Sequence, residues 1–191
     1  MAVPLLNYIS DKGGYWGFDI TREGISWCNR RIASRRSNFH FSLADIYNKH
    51  YHPEGRILAV EYRFPYEDCF FDFVFLTSVF THVRAPGMNH YLSEIPRVFK
   101  PGARCLMSFF LLNPDAPRSP EAVPTLDFKF KLTDCYSAHE DPPEAAIAFD
   151  EHYVRSRLAA MGLRLIEPIH PGGWRGGKDS VDFQDIVLVT R

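Results

Sequence analysis

The sequence predicts an α/β fold: a mostly parallel sheet with helices between its strands. Three observations predict it. Short apolar runs alternate with segments of helical periodicity, the pattern of β-α-β units. Two of the early runs stop at a carboxylate, at Asp19 and at Asp45. The run Phe70–Thr77 is almost wholly apolar, as a parallel strand covered on both faces should be.

At 191 residues the chain is expected to form a single domain, 1–191, large enough to bury a substantial core. It is 46% hydrophobic and 15% aromatic, with 22 basic and 23 acidic residues. That balance gives no general attraction to nucleic acid or to anionic membranes, so neither is expected as a partner. Four widely spaced cysteines, Cys28, Cys69, Cys105 and Cys135, contain no CxxC pair and read as reduced thiols in a cytoplasmic protein. Residues 1–10 lack a basic start and a cleavage signature, and no apolar stretch approaches the length of a membrane span.

The elements follow in order. Ala2–Ile9 reads as the end of a helix, closed by the turn Ser10-Asp11-Lys12-Gly13. Tyr15–Ile20 is a strand. Thr21 caps a helix with Ile25, Cys28 and Ile32 on its apolar face, Glu23 early and Arg30 and Arg31 late, as the helix dipole favours. Asn38–Ala44 alternates as a strand and stops at Asp45. Residues 47–68 form a long connection with a turn at Pro53-Glu54-Gly55. After the strand Phe70–Thr77, Pro86 opens a helix with Met88, Tyr91, Leu92, Ile95 and Phe99 on one face. Pro96 interrupts that pattern, and an interior proline costs about 3 kcal/mol. Lys100-Pro101-Gly102 ends the helix, and Arg104–Leu112 is a buried strand. Residues 113–149 read as an irregular insertion with one short helix. Asp150 caps a helix that Gly162 stops, and Leu163–Ile169 and Asp185–Thr190 are two last strands joined by the Gly-rich loop Pro171–Lys178.

The order of short motifs carries more than any one of them. It runs Tyr15-Trp16-Gly17-Phe18-Asp19-Ile20, then Ala44-Asp45-Ile46, then Phe64-Pro65-Tyr66 with Phe71-Asp72-Phe73-Val74-Phe75. Phe80-Thr81-His82-Val83, Arg97-Val98-Phe99-Lys100-Pro101-Gly102 and Gln184-Asp185-Ile186-Val187 complete it. This series resembles the class I S-adenosylmethionine-dependent methyltransferases over nearly the whole chain. The resemblance implies a Rossmann-like sheet of parallel strands with a C-terminal antiparallel hairpin, the last strand lying beside the fifth. Ala103 stands where that family commonly has a second glycine. In that family the first strand ends in a glycine loop that holds the cofactor's methionine part; only eighteen residues precede Asp19, and that strand and loop are missing from the series.

The resemblance assigns S-adenosyl-L-methionine as cofactor and a small molecule as methyl acceptor. Asp19 would accept both ribose hydroxyls, against the alternative of a helix-capping aspartate, and Ile20 would pack beneath the ribose and adenine or in the core. Asp45 would meet the adenine amino group, with Ala44 leaving room for the ring and Ile46 flanking it; a simple turn aspartate is the competing reading. Thr77 and Ser78, ending the central strand, would face the sulfonium and the acceptor, or satisfy their own backbone. Methyl transfer needs little acid–base chemistry, and proximity supplies most of the acceleration. If the acceptor is a hydroxyl, His82 is the candidate general base, against a structural role. His50 and His52 read as a surface loop rather than a metal pair, and Arg30, Arg31, Arg35 and Arg36 as a solvated helix end. Tyr136, His152 and Trp174 line an acceptor pocket or the core.

Two expectations of function follow: a methyltransferase, or a methyltransferase-like domain without catalysis. A nicotinamide-dependent oxidoreductase would also use a carboxylate like Asp19 but does not fit the terminal strand pair. Met1-Ala2-Val3-Pro4-Leu5-Leu6 reads like the interior of the helix after the glycine loop, so the 191-residue chain is expected to be marginally stable, prone to aggregate and inactive by itself.

Overall fold

A computed structural model describes residues 2–115, 119, 121–177 and 180–191. Parts of the expected insertion 113–149 and of the loop Pro171–Lys178, and Met1 itself, lie outside the described residues. The chain divides into two compact units, Met1–Ile57 and Leu58–Arg191.

The first unit holds a two-stranded parallel sheet, β1 (Tyr15–Asp19) and β2 (Phe39–Leu43), in register from Tyr15↔Phe39 to Asp19↔Leu43. Helix α1 (Ala2–Leu5) precedes it, and α2 (Arg22–Cys28) joins the strands, continued by a wider turn over Asn29–Ala33. Ala2, Ile32 and Phe39 form its buried centre, with Leu5, Leu6, Ile9, Tyr15, Cys28 and Phe41 packed against them. Alternation explains the pairing: Tyr15, Phe39 and Phe41 fall on one face of the sheet, their rings 5.3–5.4 Å from Tyr15's.

The second unit is built on a four-stranded sheet in the order β3-β4-β10-β9. Its strands are β3 (Phe71–Leu76), β4 (Phe99–Phe109), β9 (Arg164–His170) and β10 (Asp185–Thr190). β3 runs parallel to β4, and β10 is antiparallel to both β4 and β9, so the last strand lies beside β4 as expected. Helix α3 (Ala85–Val98) presents Met88, Tyr91, Leu92 and Ile95 to the core. Phe80, Phe109 and Phe149 are fully buried, and the first two stack at 4.8 Å. Asp150 caps α4 (Glu151–Ala160) by accepting the Tyr153 N–H at 3.0 Å. Gly162, at φ +70°, ends the segment in a conformation that favours glycine.

Four expectations are corrected. The strands at 15–20 and 39–44 were expected in one sheet with 71–77 and 104–112; they pair with each other in a sheet of their own, because no strand among the described residues precedes Tyr15 to continue the ladder. β3 is not covered on both faces: it is the end strand of its sheet, and Phe73 is 50% exposed. Residues 113–149 are not merely irregular. β5 (Leu111–Leu112), β6 (Phe130–Leu132), β7 (Cys135–Ser137) and β8 (Ile147–Asp150) form a second sheet in the order β5-β8-β7-β6, with a single 3₁₀ turn at Pro143–Ala145. Finally, α3 passes through Pro96 to Val98; sited two residues from the end, the proline spoils only the last turn.

Candidate functional site

Asp19 and Asp45 sit at the same edge of the first unit. β1 and β2 are parallel, so both chains leave the sheet at their carboxyl ends, where open α/β sheets bind ligands. The Ala44 N–H donates to the Asp19 carbonyl at 2.9 Å and ties the two ends together. The structure thus brings Asp19, Ile20, Ala44, Asp45 and Ile46 to one rim.

Asp19 already performs the turn role. Its Oδ1 accepts the Thr21 N–H at 2.8 Å and the Thr21 hydroxyl at 2.7 Å. Thr21 occupies the cap position of α2, yet its hydroxyl makes no cap bond and donates to Asp19. The two roles are compatible: both bonds fall on one oxygen, and an ionised carboxylate has lone pairs on the other. Ile20 is half-buried beside it.

Asp45 is held by Arg56, whose Nε lies 2.5 Å from its Oδ2, while the Asp45 carbonyl accepts the Arg56 and Ile57 N–H groups. The Arg56 hydrogen bond keeps the Asp45 carboxyl below the usual carboxylate range. The loop between them is compact. Asn48 and His52 exchange backbone bonds, Asn48 Oδ1 accepts the His50 and Tyr51 N–H groups, and His52 Nδ1 lies 3.0 Å from the Ile46 carbonyl. Gly55 crosses Ile46 so closely that a Cβ there would lie 2.4 Å from the Ile46 carbonyl carbon. Ala44 and Ile46 are buried, at 2% and 4% exposure, so Ile46 gives the rim its firmness rather than an open apolar surface.

In the second unit Thr77 and Ser78 follow β3 directly. Ser78 takes φ +55° and donates its N–H to Ser108 Oγ at 2.8 Å. His82, in the turn closed by His82 N–H to the Val79 carbonyl, directs Nδ1 at the Glu144 carbonyl, 2.9 Å away. A carbonyl only accepts, so Nδ1 carries the proton in this contact, as it does in the Nδ1–H tautomer. That is the tautomer a base acting through Nε2 needs, and equally a good structural anchor. Glu144 is itself fixed by the Arg84 Nε at 2.9 Å. Trp174 is fully buried with Phe110 and Phe128 and so belongs to the core. The segment leading into β3 is clamped by α3: Glu94 Oε2 accepts the Phe64 N–H, and Arg97 donates to Glu94, Asp68 and the carbonyls of Phe64 and Tyr66.

Ser108, Gln184, Arg56 and Asp185 were not picked out from sequence as site residues. Asp185 had a signal, a carboxylate opening an otherwise apolar strand; the others carry none that a single sequence displays.

A family profile described as "Methyltransferase domain" matches residues 4–107, more than half of the chain. The chain belongs to this methyltransferase family. Solved structures share its fold. A SAM-dependent methyltransferase from Aquifex aeolicus matches with a TM-score of 0.55 at 17% identity, over 98% of this chain and 74% of that one. A SAM-dependent methyltransferase from Methanosarcina mazei matches at 0.59 and 18% identity, over 95% and 84%. The 1,6-didemethyltoxoflavin-N1-methyltransferase of Burkholderia thailandensis, solved with bound 1,6-didemethyltoxoflavin and S-adenosylhomocysteine, matches with a TM-score of 0.55 at 13% identity, over 92% of this chain and 60% of that one. The methyltransferase fold, with its parallel strands and C-terminal antiparallel pair, is therefore the fold of this chain. Among the described residues no helix is long and apolar enough to cross a membrane.

Proposed function

We propose that this chain transfers a methyl group from S-adenosyl-L-methionine to a small-molecule acceptor in the cytoplasm. One observation carries the reading: two carboxylates at adjacent carboxyl ends of a parallel strand pair, locked by the 2.9 Å bond from Ala44 to Asp19. The donor set fits the adenosine end of the cofactor. Asp19 Oδ2 suits a ribose diol, and Asp45, kept ionised by Arg56, suits an amino group on adenine. No glycine turn between a strand and a helix stands ahead of β1 among the described residues, so the holder of the methionine end is not assigned.

When bound, S-adenosyl-L-methionine supplies a methyl group on a sulfonium, an excellent leaving group. The residues of this chain bind, orient and exclude water. Thr77 and Ser78 border the acceptor, and His82, with its Nδ1–H on the Glu144 carbonyl, takes a proton at Nε2 if the acceptor is a hydroxyl.

A second reading, a methyltransferase-like domain without catalysis, is favoured by the prior engagement of both carboxylates, Asp19 by Thr21 and Asp45 by Arg56. Titration calorimetry with S-adenosylmethionine, S-adenosylhomocysteine and NADH separates the readings. Binding of the first two and not the third is expected. Binding of none supports the second reading, and binding of NADH alone overturns both.

A further inference from the structure

Three polar side chains from distant parts of the second unit close a ring at the carboxyl end of β3. Ser108 Oγ accepts the Ser78 N–H at 2.8 Å and donates to Gln184 Oε1 at 2.6 Å. Gln184 Nε2 donates to Ser78 Oγ at 3.0 Å, and that hydroxyl lies 3.2 Å from Gln184 Oε1. Ser108 is buried, Gln184 half-buried and Ser78 exposed, so the ring opens outward at Ser78.

The ring holds a strained position. Ser78 is a non-glycine residue at φ +55°, a conformation that L-residues with a side chain seldom adopt. Such strain persists only where the surroundings over-determine it, and it gathers at functional sites. Gln184 is well placed to supply the constraint because its own backbone has little freedom. The next residue, Asp185, is fully buried and accepts the Leu111 N–H at 2.7 Å, the Gly172 N–H at 2.8 Å and the Trp174 Nε1–H at 2.9 Å.

We propose that Gln184 is a positioning residue for methyl transfer: through the ring it keeps Ser78 in the left-handed conformation and so sets where β3 presents Thr77 and the Ser78 hydroxyl. This rests on the reading of Thr77 and Ser78 as bordering the reacting groups. The amide is suited to the task. It supplies a donor and an acceptor at once, holds its geometry across pH, and adds no charge beside the transferred methyl.

The test combines amide hydrogen exchange at residue 78 with calorimetric titration of S-adenosylhomocysteine. In Gln184→Ala, exchange at Ser78 is expected to rise about tenfold or more as its local protection is lost. Affinity is expected to fall by roughly fivefold or more. In a Ser78→Gly background, where the ring has no hydroxyl to hold and glycine takes φ +55° without penalty, adding Gln184→Ala should cost no further affinity. Gln184→Glu, which keeps Oε1 and replaces the Nε2–H donor by a second acceptor, gives a second variant should Gln184→Ala not fold, with the same direction expected. Unchanged exchange at Ser78 in both variants overturns the proposal. So does an affinity loss from Gln184→Ala that is as large in the Ser78→Gly background as in wild type, since Gln184 would then act apart from Ser78. Wild-type protein that does not bind S-adenosylhomocysteine strikes the methyl-transfer reading instead, while the exchange data still decide whether Gln184 holds the turn.

Discussion

Arg56 Nε lies 2.5 Å from Asp45 Oδ2, closing the loop 45–57 on the carboxylate proposed to meet adenine. The Arg56 side chain is 86% exposed, and exposed ion pairs contribute little to stability. The pair is therefore weak enough to open when a ligand competes for Asp45. Arg56→Ala should leave the melting temperature nearly unchanged and tighten S-adenosylhomocysteine binding by up to about fivefold. Weaker binding in calorimetry would mean that Arg56 helps hold the ligand.

Asp19→Ala removes the acceptor of the Thr21 N–H and hydroxyl together with the ribose contact proposed for it. A hydrogen bond to a charged group contributes about 1.5–3 kcal/mol, so the affinity for S-adenosylmethionine should drop by roughly ten- to a hundredfold. Asp19→Asn keeps one acceptor for Thr21 and separates the roles: it should keep the stability of wild type and still lose affinity. Unchanged affinity in both variants, measured by calorimetry, sinks the ribose assignment.

Glu94 gives a stability prediction with a definite sign. Its hydrogen bond from Arg97, aided by the Phe64 N–H, holds its carboxyl below the usual range, so the folded state binds this proton less readily than the unfolded chain. The stabilisation is present above the ordinary glutamate pKa of about 4.3 and is lost as pH falls through the lower folded value. In Glu94→Gln the melting temperature should be lower near pH 7, and the gap to wild type should narrow below about pH 4. A constant gap between pH 3 and pH 7, on the order of that window, would show that Glu94 is not coupled to protonation.

Asp185→Ala should be the most damaging single change of this set. It leaves the Leu111 and Gly172 N–H groups and the Trp174 indole buried without an acceptor, and strips Arg175 of a carboxylate 3.6 Å away. Removing one partner of a buried charged pair costs about 3–5 kcal/mol. Urea denaturation should show that loss, with Asp185→Asn intermediate; a change under about 1 kcal/mol would contradict the clamp.

Much of this molecule is written in local pattern. The helix cap at Asp150, the stop at Gly162, the strand Asp185–Thr190 and the apolar face of α3 each depend on neighbours within a few residues, and each is legible without a fold. The ends of β1 and β2, and hence Asp19 and Asp45, were legible for the same reason. A local signal also passed unread: Leu126 to Leu132 alternates apolar and charged residues, and its last three residues form β6.

By itself the sequence determined the order and type of the main elements, the methyltransferase resemblance and the pair of carboxylates that end two strands. Only the tertiary structure decided that β1 and β2 pair apart from β3, that β3 is an end strand, and that Asp19 and Asp45 already hold partners. It alone joined Ser78, Ser108 and Gln184, which lie 30, 76 and 106 residues from one another. Hydrophobic period and caps are short-range consequences of backbone geometry, so a sequence shows them. A hydrogen-bonded ring across three strands is a long-range consequence of register, and register exists only once the sheet has formed.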